Sequence, residues 1–157
     1  MKIRKILYGA VIAAVYAVIS IVCAPISYGP IQVRLSEALT VLPAVTPVAI
    51  WGVFVGCLVA NLVTGSVVDI VFGSLTTLVA AYFSYKLRNN KWLVPLPPVL
   101  LNGLIVGGYL TAMYGGIWYV NMLTVTVGQL VSCYLLGVPL MVIVKNNKQI
   151  HKFLKKS

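Results

Sequence analysis

Long apolar runs alternate with short polar or turn-forming stretches along this chain. The runs are continuous, and most are long enough for a helix of more than ten residues. Prolines and glycines, which interrupt helices, mark boundaries at 25–30, 43–47 and 115–116. The pattern predicts six helical spans, at about 6–24, 34–45, 47–63, 67–85, 93–113 and 117–144.

The composition identifies a lipid bilayer as the surroundings of these helices. Hydrophobic residues make up 61% of the chain and charged residues 9%, with a mean hydropathy of +1.00. A soluble domain carries about 25% charged residues. We therefore predict an all-α integral membrane protein, with six transmembrane helices in a single transmembrane domain over residues 1–157.

The basic residues indicate how the spans are oriented. All but one of the 12 basic residues fall into three clusters, before the first span, between the fourth and fifth spans, and after the last. Positively charged loops stay in the cytoplasm, and six spans place these three regions on one side. We therefore predict a multi-pass protein of the plasma membrane with both termini cytoplasmic. The net charge of +10 then reports topology rather than nucleic-acid binding.

Polar residues inside the spans are few, and most lie near the outer ends. Glu37 and Asp69 are the only two acidic residues of the chain. Each polar residue has a structural interpretation: Arg34 and Glu37 are spaced to pair on a helix, Asp69 suits a helix N-terminus, and asparagines bond between helices.

The alternative interpretation is a shallow outward pocket for a small planar polar solute, because polar residues at membrane depth are costly unless they are used. The candidate residues for binding such a solute are Gln32, Arg34, Ser36, Glu37, Asn61, Asp69, Asn102, Tyr109, Trp118 and Asn121.

Small residues recur at four-residue spacing in the first span, at Ala10 and Ala14 and at Ala13 and Ala17. Such spacing lets helix backbones approach closely. The partner is either a neighbouring helix of this chain or another membrane subunit.

Motifs for catalysis and for nucleotide binding are absent from the sequence. It has no G-x-x-x-x-G-K-[ST] motif for ATP, and its one histidine, His151, lies in the basic tail. Two acidic residues are too few for a carboxylate metal cage. We therefore predict neither an enzyme nor a cofactor or metal, so that any energy for uphill transport comes through a partner.

Three segments resemble the QueT family: Ala24–Pro43, Gly52–Asn61 and Asp69–Leu78. That family is identified with substrate-binding S components of energy-coupling factor (ECF) transporters for queuosine precursors. The resemblance implies an S-component-like bundle that captures a 7-deazaguanine, such as preQ0, preQ1 or queuine, outside the cell. It also implies a partner module of one transmembrane subunit and two ATPases, docked at Ala10 and Ala14 or, alternatively, at Ala13 and Ala17.

The chemistry of such a solute suits the candidate residues. The guanine edge carries two donors that a carboxylate accepts together, and either Glu37 or Asp69 fits this role. Amides suit the 6-oxo group, and aromatic rings can stack on the base. Two alternatives remain open: an S component for another vitamin-like small molecule, and a membrane subunit without a transport role.

Overall fold

The computed structural model describes residues 2–27, 33–64 and 67–147. All regular secondary structure in these ranges is helical, in six main helices, which confirms the all-helical fold class at this level. Three helices are long and apolar enough to cross a membrane: Ile3–Val22, Leu96–Tyr114 and Trp118–Asn146.

The helices follow the predicted segments closely. We name them in chain order: α1 (Lys2–Val22), the short α2 (Ala24–Ser27), a 3₁₀ helix (Leu35–Ala44), α3 (Val48–Thr64), α4 (a π turn, Asp69–Gly73, continued by Ser74–Lys86), α5 (Leu96–Tyr114) and α6 (Trp118–Asn146).

The second predicted span differs most from expectation, because it is a 3₁₀ helix and is buried from Ser36 to Ala44. At about 2.0 Å per residue, its ten residues cover roughly 20 Å, less than the ~30 Å of a bilayer core. It contacts α1, α3, α4 and α6 and so lies at the centre of the bundle. Gly137 of α6 packs against it so closely that an added Cβ would lie 3.1 Å from the Ala38 carbonyl oxygen.

The other helices pack around this centre in sequence order from α3 to α6, and α1 lies against α3. One apolar cluster joins residues of α1, α3, α4 and the 3₁₀ helix: Tyr16, Leu39, Leu42, Ala49, Val53, Cys57 and Ala81. Large apolar side chains such as Leu7, Val18, Leu123 and Leu135 point outward. A bilayer would solvate this apolar exterior.

α1 presents two different faces. Ala13, Tyr16, Ala17 and Ser20 are buried, whereas Ala10 and Ala14 are exposed. The two small-residue registers therefore have different surroundings: one packs inside this chain, and the other is accessible from outside it.

Among the described residues, three helices contain a π turn: Asp69–Gly73 in α4, Asn102–Val106 in α5 and Val131–Gly137 in α6. A π turn inserts an extra residue and often accompanies a functional site. Two of these turns begin with a buried polar residue, Asp69 or Asn102.

Candidate functional site

The first group of polar side chains surrounds Arg34, which lies just before the 3₁₀ helix and is 6% exposed. Its Nη2 lies 3.1 Å from Oδ1 of Asn61 and 3.7 Å from Oδ1 of Asp69. Tyr109 of α5 donates its hydroxyl proton to the same Asp69 oxygen. Cation, carboxylate, phenol and amide thus come together from four separate segments of the chain.

Asn61 links the members of this group. Its amide nitrogen lies 2.8 Å from the Asp69 carbonyl oxygen and 3.3 Å from Oγ of Ser74. These bonds join α3 to α4 at its π turn. The side-chain carbonyl oxygen of Asn61 also accepts from Arg34, so Asn61 connects Arg34 to the same turn. We call Arg34, Asn61, Asp69 and Tyr109 the arginine cluster.

Glu37 forms a second group, and its side chain is fully buried. The Tyr16 hydroxyl donates to its Oε1 at 2.6 Å, the short distance typical of a bond to a carboxylate. The Thr77 hydroxyl lies 3.4 Å from the same oxygen but has one proton, and the Gly73 carbonyl is nearer, at 3.1 Å. Tyr16 is therefore the main donor to Glu37.

The Asn102 side chain lies beside the Glu37 carboxylate and is 1% exposed. Within the described residues, neither of its amide atoms has a hydrogen-bonding partner, and neither has Oε2 of Glu37. The Asn102 amide is thus near the carboxylate without being in hydrogen-bonding geometry with it. We call Glu37 and Asn102 the glutamate–asparagine pair.

The spacing of Arg34 and Glu37 made a direct ion pair possible, but the structure gives them different partners. Arg34 pairs with Asp69, and Glu37 accepts from Tyr16. At the end of a 3₁₀ helix the two side chains point to different neighbours, so spacing on an α-helix was a poor guide.

The remaining described candidates take no part in the hydrogen bonds of these two groups. Ser36 accepts a hydrogen bond from Ser20 at 2.6 Å. Asn121 donates to Thr111 and to the Gly115 carbonyl at the α5–α6 turn, and the nearby Trp118 is 53% exposed. Gln32 lies outside the described residues.

Burial is a further difference from expectation. The sequence predicted an outward-facing pocket, whereas Arg34, Glu37, Asn61, Asp69 and Asn102 are all at most 7% exposed. A solute therefore reaches these side chains only after the groups that cover them move.

Sequence reasoning overlooked Tyr16, which donates to the Glu37 carboxylate, and Thr77, whose hydroxyl lies 3.4 Å from it. A signal existed for Tyr16: it and Ser20 are four residues apart, so two polar side chains share one face of an apolar helix. That face is the one α1 buries against the 3₁₀ helix. Thr77, among the small residues of α4, gave no comparable signal.

Across the described ranges, no group of three or more metal-binding side chains occurs.

Comparison with known proteins identifies a family and a relative that this chain resembles. A family model described as "QueT transporter" matches residues 6–146. A curated protein from Lactococcus lactis subsp. cremoris (strain MG1363), named "Queuosine precursor transporter QueT", is 38% identical over 72 residues. This alignment covers 45% of the present chain and 43% of the relative, so it spans less than half of each. No solved structure matches the chain.

Proposed function

This chain belongs to the QueT transporter family, and we propose that it is a membrane subunit that captures a queuosine precursor. The substrate class is a 7-deazaguanine such as preQ0, preQ1 or queuine, taken from outside the cell. The partial likeness to a curated queuosine precursor transporter supports this class.

The observation that carries the proposal is the concentration of buried polar groups in an apolar bundle. Both acidic residues, Arg34, two asparagines and Tyr109 lie within two adjoining groups. Polar and charged groups at this depth are costly and mark binding sites or pathways. A planar heterocycle with several donors and acceptors would engage those of these groups that have hydrogen-bonding capacity to spare, and Tyr109 offers a ring for stacking.

Energy for uptake would come from outside this chain. The sequence has no P-loop, and we propose that an ECF module of one transmembrane subunit and two ATPases supplies ATP hydrolysis. The proposed orientation places both termini and the basic loop between α4 and α5 in the cytoplasm, as the positive charges favour.

The exposed face of α1 supports a docking site for that module. Ala10, with Gly9, Ala13 and Gly52, lines an apolar groove of about 510 Å³ between α1 and α3. Ala14 is exposed on the same helix, whereas Ala13 and Ala17 are buried. We therefore propose the Ala10 and Ala14 register for docking.

Titration calorimetry of the purified full-length protein in detergent tests the function directly. We expect saturable binding of at least one among 7-cyano-7-deazaguanine, 7-aminomethyl-7-deazaguanine and queuine. Thiamine and riboflavin, as vitamin-like solutes of other structure, serve as controls. Binding of a control with no response to any deazaguanine would refute the proposed substrate class.

Bulky substitutions on α1 test the docking face. Ala10→Trp and Ala14→Trp should each weaken association with the module about 5- to 150-fold, because overpacking an interface costs about 1–3 kcal/mol. Transport into cells that express the complete transporter should fall accordingly, while deazaguanine binding to the isolated protein is kept.

Val15→Trp is the matched control, since Val15 is also exposed but lies about 100° further round the helix than Ala14. If both alanine variants transport as well as Val15→Trp does, the proposed docking register is wrong.

A further inference from the structure

The two acidic residues of the chain have opposite surroundings. Asp69 faces the guanidinium of Arg34 and accepts from Tyr109, so its charge is balanced nearby. The nearest donor to Glu37 is the neutral hydroxyl of Tyr16, which bonds to Oε1. The other carboxylate oxygen, Oε2, has no hydrogen-bonding partner in the described part of the chain. The structure thus distinguishes two carboxylates that, from the sequence, were equally suited to accept from the ligand.

Three buried atoms of the glutamate–asparagine pair retain unused hydrogen-bonding capacity. They are Oε2 of Glu37, which accepts, Oδ1 of Asn102, which accepts, and Nδ2 of Asn102, which donates; within the described residues each is without a partner. Leaving such groups unsatisfied in a buried site is costly, and a native fold retains few of them. A ligand with matching groups would recover that cost.

Read together, the three atoms present one donor and two acceptors. The edge of a guanine-type base presents the complement: the 6-oxo group accepts, while N1–H and the 2-amino group donate. The NH₂ group of an amide can donate to the 6-oxo group while the carbonyl oxygen of the same amide accepts from N1–H. A carboxylate oxygen then accepts from the 2-amino group. An adenine-type edge, with its 6-amino donor beside an N1 acceptor, has the opposite pattern.

We propose that Glu37 and Asn102 together read the guanine-type edge of the substrate, with Asn102 bonding the 6-oxo group and N1–H and Glu37 Oε2 accepting from the 2-amino group. This inference rests on the proposed function and assigns its specificity to particular atoms. Tyr16 is a positioning residue, because its bond to Oε1 holds the carboxylate and leaves Oε2 for the ligand. Asp69 with Arg34 then belongs to the framework of the site.

The experiment combines one change in the ligand with one change in the protein. The ligands are 7-aminomethyl-7-deazaguanine and its analogue without the 2-amino group, titrated into the full-length protein in detergent. Wild type should bind the analogue roughly 10- to 100-fold more weakly, as a hydrogen bond to a charged acceptor is lost. In Glu37→Gln that ratio should shrink to about 3- to 10-fold, since a hydrogen bond to a neutral acceptor is about half as strong.

Asp69→Asn is the matched control, because it also neutralises a buried carboxylate. It should keep the wild-type ratio between the two ligands, whatever it does to the affinity for each. A wild-type ratio retained in Glu37→Gln, or a ratio lost only in Asp69→Asn, overturns the assignment.

A second arm covers the case in which Glu37→Gln does not fold. The ligand is then 2-amino-7-(aminomethyl)-7-deazapurine, which lacks the 6-oxo group and N1–H, and the variant is Asn102→Ala. Wild type should discriminate against it at least tenfold, and Asn102→Ala should discriminate far less; equal discrimination by both proteins refutes the role of Asn102.

The outcomes also distinguish a failure of this inference from a failure of the proposed function on which it rests. If wild type binds the deazaguanine and both edited ligands equally well, the edge-reading role is wrong while the proposed function stands. If wild type binds no deazaguanine, both are wrong.

Discussion

Arg34→Met is expected to lower the free energy of unfolding by about 3–5 kcal/mol. The guanidinium lies 3.7 Å from the Asp69 carboxylate, and the two side chains are only 7% and 11% exposed. Removing the cation takes away the charged partner that faces the buried Asp69 carboxylate, which is the costly way to break a buried pair. It also removes the bond from Arg34 to Asn61. Thermal unfolding in detergent should show a midpoint lowered by roughly 6–20 °C.

The same substitution at Arg88 is the matched control. Arg88 is exposed in the basic loop and stacks 4.4 Å from the centre of the Tyr85 ring, a contact worth about 0.5–1 kcal/mol at most. Adding Asp69→Asn to Arg34→Met should restore part of the lost stability, because the carboxylate charge that Arg34 faced is then gone. An Arg34→Met midpoint equal to that of Arg88→Met would show that the buried ion pair does not stabilise the fold.

Gly56→Leu should destabilise the protein by about 3 kcal/mol, at the upper end of the range for overpacking. α3 approaches α1 so closely at Gly56 that an added Cβ would lie 2.7 Å from the Ala13 carbonyl oxygen and 2.7 Å from Cβ of Tyr16. Since the obstructing atoms include backbone, a rotamer change cannot make room. The helices must separate, which would also shift Tyr16 away from Glu37.

Gly108→Leu is the comparison, because Gly108 is also helical but has nothing within 4 Å of its added Cβ. Leucine favours a helix over glycine by up to about 1 kcal/mol, so this variant should melt at or above the wild-type temperature. Thermal unfolding of both variants checks the pair. Equal melting temperatures would mean that close α1–α3 packing at Gly56 is not required.

The edge-reading and docking proposals meet at α1. Its buried face carries Tyr16, which holds Glu37, and its exposed face carries Ala10 and Ala14. A single helix thus contacts both the proposed substrate site and the proposed partner surface.

Much of the architecture followed from local patterns. Continuous apolar runs predicted the helices, and the described helices from α1 to α6 lie within a few residues of the predicted spans. The predicted family is confirmed by the match over residues 6–146. The orientation of the termini and the roles of the site residues stay predictions.

The limits of local pattern appear at the 3₁₀ helix and at the π turns. Leu35–Ala44 has the apolar composition of a span, yet it winds more tightly and is buried at the centre of the bundle. The π turns that begin at Asp69 and Asn102 likewise have no periodic signature. In both cases packing against neighbouring helices selects a winding that intrinsic propensity does not.

The sequence by itself determined the class of the protein, its helical segments and which few polar residues lie within them. These properties depend on composition and on contacts between residues three or four apart, which a linear pattern records. Only the tertiary structure decided which polar residues meet. Arg34 bonds to Asn61, which is 27 positions away in the chain, and Glu37 bonds to Tyr16, which is 21 positions away. Arg34 and Glu37, although close in sequence, have separate partners. Such pairings depend on how whole helices pack, and helix spacing within one segment carries no information about them.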